Sequence, residues 1–419
     1  MLKLTLLPCV FGILLTCWSQ RNLTSNAKTH TDLLCSPLMD GRGYVNNGCN
    51  KAGFYLLNEF ERIGLVPMNG WKNQPFYINV NRFPGACKIK INGTKKIPGI
   101  DYLIHPSSAP FHGKLSLTAI SAEEILSLPF KSFPPKQGIA FIQPKQISRD
   151  TLLMVRAKLE KLARIQVPVV EYTHRKLTWS VSSEQFMFPY IQVFDTSGRI
   201  QLHKFKIKLN AELKENYEVS NILGVVKAIQ PSDSFIIVSA HYDHLGRMGK
   251  NTYFPGANDN ASGVAMLLSL AEEIQQQPLV KHNVLFIAFA GEEIGLLGSQ
   301  FFVNQPILDL KLISCVLNLD IMGSGEEGIT VVNGAIQKDL FERLINLNEL
   351  TESVSVIKAR GQAANSDHYP FSEAGIPAIF IYTMGPNKNY HDVNDKSAML
   401  TFNKFDQLHY LLLRFLQSF

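Results

Sequence analysis

Cysteine is scarce in this chain, and the few cysteines are not grouped. The 419 residues include six cysteines, and only Cys35, Cys49, Cys87 and Cys315 lie beyond the first twenty positions. Four cysteines without any C-x-x-C spacing exclude a disulfide-stapled scaffold and a thiolate metal site. Cys35 and Cys49 could form a bridge in an oxidising compartment, whereas the apolar run around Cys315 predicts a buried thiol.

Long runs of like charge are also absent. The formal net charge is +6, and Lys and Arg never gather into a stretch that could follow a phosphate backbone, which argues against nucleic acid as a partner. The sequence has no internal repeat and no low-complexity segment, so solenoid architectures are excluded. Hydrophobic residues make up 46% of the chain, which is enough for one large α/β unit or two domains and excludes a disordered protein.

The first twenty residues have the pattern of a secretory leader. Lys3 precedes an apolar stretch that is too short to span a bilayer comfortably, and a polar segment follows. This pattern favours a leader over residues 1–20 rather than a buried N-terminal helix. The stretch from Leu14 to Cys17 resembles a loose bacterial lipoprotein box, although Thr16 replaces the usual small residue. We expect an extracytoplasmic protein that is secreted, periplasmic or anchored to a membrane through a lipidated Cys17.

Residues 51–64 predict an amphipathic helix that must cover a sheet. Gly64 is a natural terminator, and apolar side chains recur at helical spacing. These side chains are Phe54, Leu57, Phe60 and Leu65.

From about residue 83 to residue 198, short β-like runs alternate with Pro- and Ser-rich turns. Two such runs are Gly138 to Ile142 and Pro168 to Tyr172. This change of texture predicts a separate, mostly β domain at 83–198, inserted between the segments 30–82 and 199–419.

The second half of the chain alternates apolar strands with helices, as doubly wound sheets do. We predict strands at Phe235–Ala240, Val284–Ala290, Leu312–Leu319 and Ala378–Tyr382, and helices at Ala261–Gln276, Asp339–Leu350 and Asn403–Gln417. The predicted fold class is a three-layer α/β/α unit with a mixed central sheet. In such sheets ligands bind beyond the carboxyl ends of the strands.

Histidines and carboxylates follow the ends of several predicted strands or begin the helix between them. They are His241, Asp259, Glu292, Glu293, Asp320 and His391. Like charges gathered at one edge of a sheet would raise one another's pKa values and oppose folding, and a bound cation removes that conflict. Nitrogen and carboxylate ligands without thiolates suit Zn, Mn or Co. Three carboxylates against two divalent ions leave about one positive charge, which a bridging hydroxide would neutralise, so two ions fit better than one.

The adjacent pair Glu292 and Glu293 predicts a division of labour. Neighbouring side chains on a loop diverge, so that one can bind metal while the other faces a metal-bound water molecule. Such a carboxylate can accept the proton of the water and pass it to a leaving amine.

Six ordered segments resemble the motifs of metallopeptidase family 28. They are AHYDHLG, GANDNASG, AFAGEEIGLLGS, NLDIMG, SDHYPFSEAGIPA and YHDVNDK, and the stretch from Ser36 to Leu65 resembles the opening segment of the family. The resemblance implies a zinc exopeptidase fold in which His241 and Asp320 bind one zinc, Glu293 and His391 bind a second, and Asp259 bridges them. It also implies that Glu292 is the general base and that the insertion is a protease-associated domain.

Further polar residues of these motifs could support the metal ligands. Because a carboxylate commonly orients a metal-bound histidine, Asp243 is the candidate partner of His241. Asp367 and Asp395 could brace the site or merely cap loops. A full ligand set leaves His244 and His368 as structural or substrate-facing residues.

The run from Gly323 to Gly328 matches the G-x-G-x-x-G pattern, but a strand follows it where a nucleotide-binding fold needs a helix. We interpret this run as a hairpin turn. No G-x-S-x-G elbow occurs, so a serine nucleophile lacks a candidate.

The sequence therefore predicts an aminopeptidase with two zinc ions that acts on peptides. One alternative is a glutamate carboxypeptidase-like enzyme, for which Arg360 is the basic candidate. Another is a glutaminyl cyclase, an acyltransferase with one zinc, although its helix-start motif reads closer to DSA than the sequence found after Asp259. A non-catalytic binding module of this fold would have lost ligands, and no ligand position is substituted here.

Overall fold

The computed structural model describes residues 23–129, 136–196 and 205–419. Within these ranges the chain forms two eight-stranded sheets and one two-stranded sheet. The predicted leader, including Cys17, lies outside the described residues. The described helices include none with the length and apolar character that a membrane span requires.

The strands and helices of the described ranges are numbered in chain order. The strands are β1 (Asn73–Arg82), β2 (Cys87–Ile91), β3 (Thr94–Lys96), β4 (Tyr102–Ile104), β5 (Phe111–Ile120), β6 (Gln137–Ile142), β7 (Val169–Thr173), β8 (Tyr190–Phe194), β9 (Phe205–Leu209), β10 (Glu212–Val226), β11 (Phe235–His241), β12 (Arg247–Met248), β13 (Thr252–Tyr253), β14 (Asn283–Phe289), β15 (Ile313–Leu319), β16 (Gly328–Val332), β17 (Ile357–Ala359) and β18 (Ala378–Met384). The helices are α1 (Leu23–Leu34), α2 (Gly48–Ile63), α3 (Ala122–Ser127), α4 (Arg149–Ile165), α5 (Ser262–Gln276), α6 (Leu297–Asn304), α7 (Lys338–Thr351), α8 (His368–Glu373) and α9 (Phe405–Gln417).

The first sheet is mixed and has the order β1-β10-β14-β11-β15-β18-β16-β17. Its four central strands β14, β11, β15 and β18 run parallel to one another. The pairs β1–β10, β10–β14 and β16–β18 are antiparallel. Parallel strands place their carboxyl ends at the same edge of a sheet, so the loops that follow these four strands converge.

Helices cover both faces of this sheet because the central strands are apolar on both sides. Ile236 and Val238 of β11 belong to the core that includes side chains of α2, α5 and α9. Ile237, between them, packs in a separate core with Phe302 of α6 and Phe371 of α8. The predicted three-layer α/β/α fold with a mixed sheet is confirmed.

The second sheet has the order β3-β2-β9-β5-β6-β7-β8-β4. Helix α4 packs on one face, where Leu152, Val155 and Leu159 lie in one core with Ile139 and Phe141 of β6. The core on the other face also contains Leu245, Met248 and Phe254, which come from the loops between β11 and α5. The segment between β11 and α5 therefore shares a hydrophobic core with the second sheet.

The chain passes between the two sheets twice at neighbouring positions. Strand β1 leads into β2, and β9 leads into β10, while β1 and β10 pair with each other in the first sheet. Arg82, the last residue of β1, is in register with Glu212, the first residue of β10. The second sheet is thus joined to the first through one antiparallel pair.

Two predictions about local structure were wrong. Helix α2 forms and ends before Gly64, whose φ of +92° is left-handed, but Phe54 points outward and is 67% exposed. The run Gly323 to Gly328 is not a hairpin turn, because β18 lies between β15 and β16 in the sheet.

Cys35 and Cys49 are buried free thiols, so the bridge considered from the sequence is absent from the structure.

Candidate metal centre

The predicted ligands meet at the carboxyl edge of the first sheet. His241 is the last residue of β11, Asp320 follows β15, and Glu293 lies in the loop after β14. His391 lies in the loop after β18, and Asp259 lies in the helical turn that precedes α5. All five side chains are buried or half-buried.

One half of the centre consists of His241, Asp259 and Asp320. The Nε2 atom of His241 lies 3.3 Å from Oδ1 of Asp259 and 3.5 Å from Oδ2 of Asp320. The hydroxyl of Ser366 donates to Oδ2 of Asp320 at 3.1 Å, and the amide of Asn318 donates to that hydroxyl at 2.8 Å. This chain of hydrogen bonds fixes the Asp320 carboxylate.

The other half consists of His391, Asp259 and Glu293. The Nε2 atom of His391 lies 2.9 Å from Oδ2 of Asp259 and 3.2 Å from Oε2 of Glu293. Asp259 thus presents one oxygen to each half. The other oxygen of Glu293 lies 2.6 Å from Nδ1 of His244, so His244 is closer to the ligands than the sequence suggested.

The donor set fits zinc. At the usual bond lengths, ligand atoms at the corners of a tetrahedron around zinc stand about 3.3 Å apart, which is close to the distances above. The Nε2 atom of His241 and the Oδ1 atom of Asp320 are buried and have no hydrogen-bond partner among the described residues. Both atoms can therefore act as ligands. Two groups of side chains that share Asp259 have the spacing of metal sites: one is His241, Asp259 and Asp320, and the other is His244, Asp259 and Glu293.

Without metal, the clustered carboxylates raise the pKa values of His241 and His391. Burial alone would lower the pKa of His391, but the nearby Glu293 and Asp259 raise it to about 11. Burial would raise the pKa of Glu293, but His391 and His244 lower it to about 2. The site thus demands positive charge, which bound cations can supply in place of these protons.

Glu292 lies beside this cluster without being one of the close ligand atoms. Its Oε2 atom is 4.0 Å from Nε2 of His241. Burial raises the pKa of its carboxyl group well above the usual value, and the nearby Glu293 and Asp367 add to the increase. This environment suits a group that accepts a proton near neutral pH.

Asp243 supports the glutamates more directly than it supports His241. Its carboxylate accepts the main-chain N–H groups of Glu292 and Glu293 at 3.1 and 3.3 Å, and the hydroxyl of Tyr44 at 2.9 Å. The Nδ1 atom of His241 instead lies 3.2 Å from the main-chain oxygen of Asp243. The residue expected to orient His241 through its side chain therefore does so through its carbonyl group.

Asp395 and Asp367 support other parts of the site. The Asp395 carboxylate accepts the main-chain N–H groups of Asn258 and Asp259, which fixes the bridging position rather than His391. Asp367 accepts the hydroxyl of Ser299 at 2.5 Å. His368 is buried against Phe380, away from the ligand atoms described above.

Sequence reasoning missed three residues that hold the ligands. Arg42 is fully buried and donates hydrogen bonds to the main-chain oxygens of Tyr242, Gly256 and Asp259. Ser366 supports Asp320, and Trp179 accepts a hydrogen bond from His391. Ser366 is the first residue of the motif SDHYPFSEAGIPA and could have been suspected, whereas Arg42 and Trp179 carry no local signal.

Residues 221–416 match the sequence model of peptidase family M28. The chain is 30% identical over 215 residues to Aminopeptidase YwaD of Bacillus subtilis, an alignment that covers 49% of this chain and 45% of that protein. A probable leucine aminopeptidase of Arthroderma otae is 32% identical over 165 residues, covering 38% of this chain and 46% of the relative. The chain thus spans about half the length of these curated relatives.

A solved structure of a zinc aminopeptidase from Bacillus subtilis has the same fold. It superposes with a TM-score of 0.71 at 20% identity, and the match covers 94% of each chain. The matched segment 221–416 contains every residue of the metal centre described above that the sequence had identified as a ligand. Residues 221–416 are thus similar to the peptidases of family M28.

Proposed function

We propose that this protein is an aminopeptidase that removes N-terminal residues from peptides and works with two zinc ions. The main support is the position of Asp259 between two histidines. Its Oδ1 atom faces Nε2 of His241, and its Oδ2 atom faces Nε2 of His391. Glu292 lies next to both groups without being needed as a ligand. The zinc aminopeptidase whose fold it shares supports the same reading.

The proposed ligand assignment follows from the distances. His241 and Asp320 would hold one ion, His391 and Glu293 the other, and the two oxygens of Asp259 would serve both. Zinc in such a site polarises a carbonyl group and lowers the pKa of a water molecule toward neutrality. Ser366, Asp395 and the main chain of Asp243 keep these ligands in place before metal arrives.

Glu292 is the proposed general base. Its Oε2 atom accepts a proton from the attacking water molecule and delivers it to the nitrogen of the leaving amine. Burial raises the pKa of its carboxyl group, which makes the carboxylate a stronger proton acceptor. The hydrogen bond from its main-chain N–H to Asp243 fixes the start of its side chain.

The charge of the site favours a free amino terminus over a free carboxyl terminus. Asp259, Glu292, Glu293 and Asp320 are four carboxylates against two divalent ions, so the metal-loaded site has no excess positive charge that could hold the carboxylate of a substrate. A carboxypeptidase needs a cation for the carboxylate of its substrate. Arg360 is exposed just beyond the edge strand β17, where its main-chain N–H bonds Val331.

The proposed place of action is outside the cytoplasm. The support is the sequence pattern of residues 1–20, which implies either release or attachment through Cys17. Peptides outside the cytoplasm would then be the substrates.

The test compares substrates with free and blocked amino termini on the zinc-loaded full chain. We expect about two zinc ions per chain by atomic emission, hydrolysis of free aminoacyl substrates, and no hydrolysis of their N-acetylated forms. Hydrolysis of the blocked forms would establish a carboxypeptidase or endopeptidase. One zinc per chain with cyclisation of N-terminal glutamine would establish a cyclase, and either result would overturn the proposal.

Replacing the proposed base separates catalysis from metal binding. We expect Glu292→Gln to lower kcat by about 10²- to 10⁴-fold, because proton transfer is lost, while the zinc content stays at the wild-type level. Glu349→Gln, at an exposed helix position, is the matched control and should leave kcat unchanged. A Glu292→Gln variant with wild-type turnover would refute the assignment.

A further inference from the structure

A segment between β7 and β8 of the second sheet reaches the metal centre. The main-chain N–H of Trp179 donates to the oxygen of His391 at 2.9 Å. The Nδ1 atom of His391 in turn lies 2.8 Å from the main-chain oxygen of Trp179. The two residues are 212 positions apart in the chain, so this contact exists only when the second sheet is in place.

Trp179 itself is firmly anchored. Its side chain is 5% exposed and stacks on Phe254 with ring centroids 4.6 Å apart. Its indole N–H donates to the main-chain oxygen of Ile104 at 2.7 Å. The anchors lie on both sides of the shared core, since Ile104 belongs to β4 and Phe254 lies in the loop before α5.

A second contact fixes the other end of the same segment. The ammonium group of Lys176 lies 2.5 Å from the carboxylate of Asp392 and donates to the oxygen of Lys388 at 2.7 Å. Lys388 and Asp392 flank His391 in the loop after β18. The segment 176–179 therefore holds this loop at three positions.

His391 needs such support. Its φ of +52° is left-handed, a conformation that L-residues adopt only when surrounding contacts impose it. A carbonyl oxygen can only accept, so Nδ1 of His391 must carry the hydrogen in this contact. In the neutral ring, Nε2 then keeps its lone pair and faces Asp259 and Glu293.

We infer that Trp179 is a positioning residue for the zinc ion held by His391 and Glu293, and that the segment 176–179 makes the second sheet a structural part of the metal centre. The partner of the second nitrogen of a metal-bound histidine fixes its tautomer and orientation. Here that partner is a main-chain oxygen from a distant part of the chain. This inference rests on the proposed function, because it assumes that two zinc ions bind.

The inference predicts unequal effects on the two ions. A substitution that loosens the segment 176–179 should lower the affinity for the zinc ion held by His391 and Glu293. The ion bound by His241 and Asp320 should stay, because those residues are held by Asp243, Asn318 and Ser366.

The experiment measures zinc binding of the full chain in chelator-buffered zinc solutions. We expect Trp179→Ala to lower the affinity for one of the two zinc ions by about 10- to 100-fold. The affinity for the other ion should stay unchanged. Trp71→Ala is the matched control, because Trp71 is half-exposed and lies outside these contacts. If Trp179→Ala bound each of the two zinc ions as tightly as the wild type does, the inference would be overturned.

A second variant decides the question if Trp179→Ala does not fold, as judged by circular dichroism. Lys176→Met removes the contacts of the ammonium group to Asp392 and to the oxygen of Lys388, and it should lower the affinity for the same ion to a smaller degree. Unchanged affinities in this variant would then count against the inference. In nitrogen NMR of the zinc-loaded wild type, we also expect His391 to carry its hydrogen on Nδ1, and a hydrogen on Nε2 would contradict the assignment.

Failure of the proposed function gives a different result. If the wild type binds fewer than two zinc ions, the proposed function itself fails. If the wild type binds two and the folded variants bind both equally well, only the inference fails.

Discussion

At the scale of single residues, the least expected feature is the buried cation Arg42. Its guanidinium group donates to main-chain oxygens of Leu34, Tyr242, Pro255, Gly256 and Asp259. These oxygens belong to the opening segment and to the two loops that carry His241 and Asp259. One side chain therefore ties the start of the described chain to both sides of the metal centre.

We expect Arg42→Met to lower the free energy of unfolding by about 3–5 kcal/mol, because several buried oxygens lose their donors at once. Urea denaturation of the zinc-free protein measures the change. Arg149→Met, at an exposed position that begins α4, should change it by less than about 0.5 kcal/mol. A similar small effect at Arg42 would show that water can replace the guanidinium group.

Asp367 should give the zinc-free protein a specific pH dependence. Burial raises its pKa from 3.8 to about 7 in the folded state. Between these values the folded state binds a proton that the unfolded state has lost, so stability falls as the pH rises through this window and is constant above it.

Asp367→Asn removes this titration. Relative to the wild type, the variant should gain stability from pH 4.5 to pH 7, by up to about 4 kcal/mol. Denaturation midpoints in chelator across this range test the prediction. The exposed Asp233→Asn provides the control, and a difference that does not vary with pH would contradict the raised pKa.

At the scale of elements, the end of α2 offers a clean test of backbone conformation. Gly64 has a φ of +92° and caps the last turn of α2, where its main-chain N–H donates to the oxygens of Phe60 and Glu61. We expect Gly64→Ala to destabilise the protein by about 1–2 kcal/mol, because a side chain disfavours the left-handed conformation. Gly361→Ala is the control, since Gly361 has no positive φ and open space at its Cβ position. Equal midpoints for the two variants would rule out a strained cap.

The sequence revealed the central elements because their burial is complete. β11 and β14 are buried along their whole length, so they appear as continuous apolar runs followed by a histidine or a glutamate pair. β10 was missed because it is exposed over much of its first half and buried only near its end. Phe54 was misplaced because helical spacing shows which residues share a face but not how wide the covered face is.

At the scale of the whole molecule, metal should contribute to stability. Two zinc ions would relieve the repulsion among Asp259, Glu292, Glu293 and Asp320, and a ligand at 100 to 1,000 times its Kd stabilises a fold by about 3–4 kcal/mol. We expect chelator to lower Tm and added zinc to restore it in scanning calorimetry. Asp259→Asn should abolish this change of Tm. A wild-type Tm that is the same with chelator and with zinc would contradict the metal centre.

Long-range contacts set the limit of what the sequence could predict about the site. The five proposed ligands and Glu292 were identifiable because each follows a strand or begins a helix. Trp179 accepts a hydrogen bond on its main-chain oxygen from His391, 212 positions away, and Arg42 donates to the main-chain oxygen of Tyr242, 200 positions away. No spacing rule records such a contact, because only the folded chain brings the partners together.

The register of Arg82 with Glu212 at the junction of the two sheets has a consequence for engineering. The chain leaves the first sheet at Arg82 and returns to it at Glu212, and these two residues are paired in adjacent strands. The second sheet between them can therefore be deleted and the two ends joined by a short turn. The shortened protein would keep its outer helices and its parallel strands. It would also lose the main-chain oxygen of Trp179 that accepts a hydrogen bond from His391. A truncation that preserves the first sheet would therefore remove a support of the loop after β18.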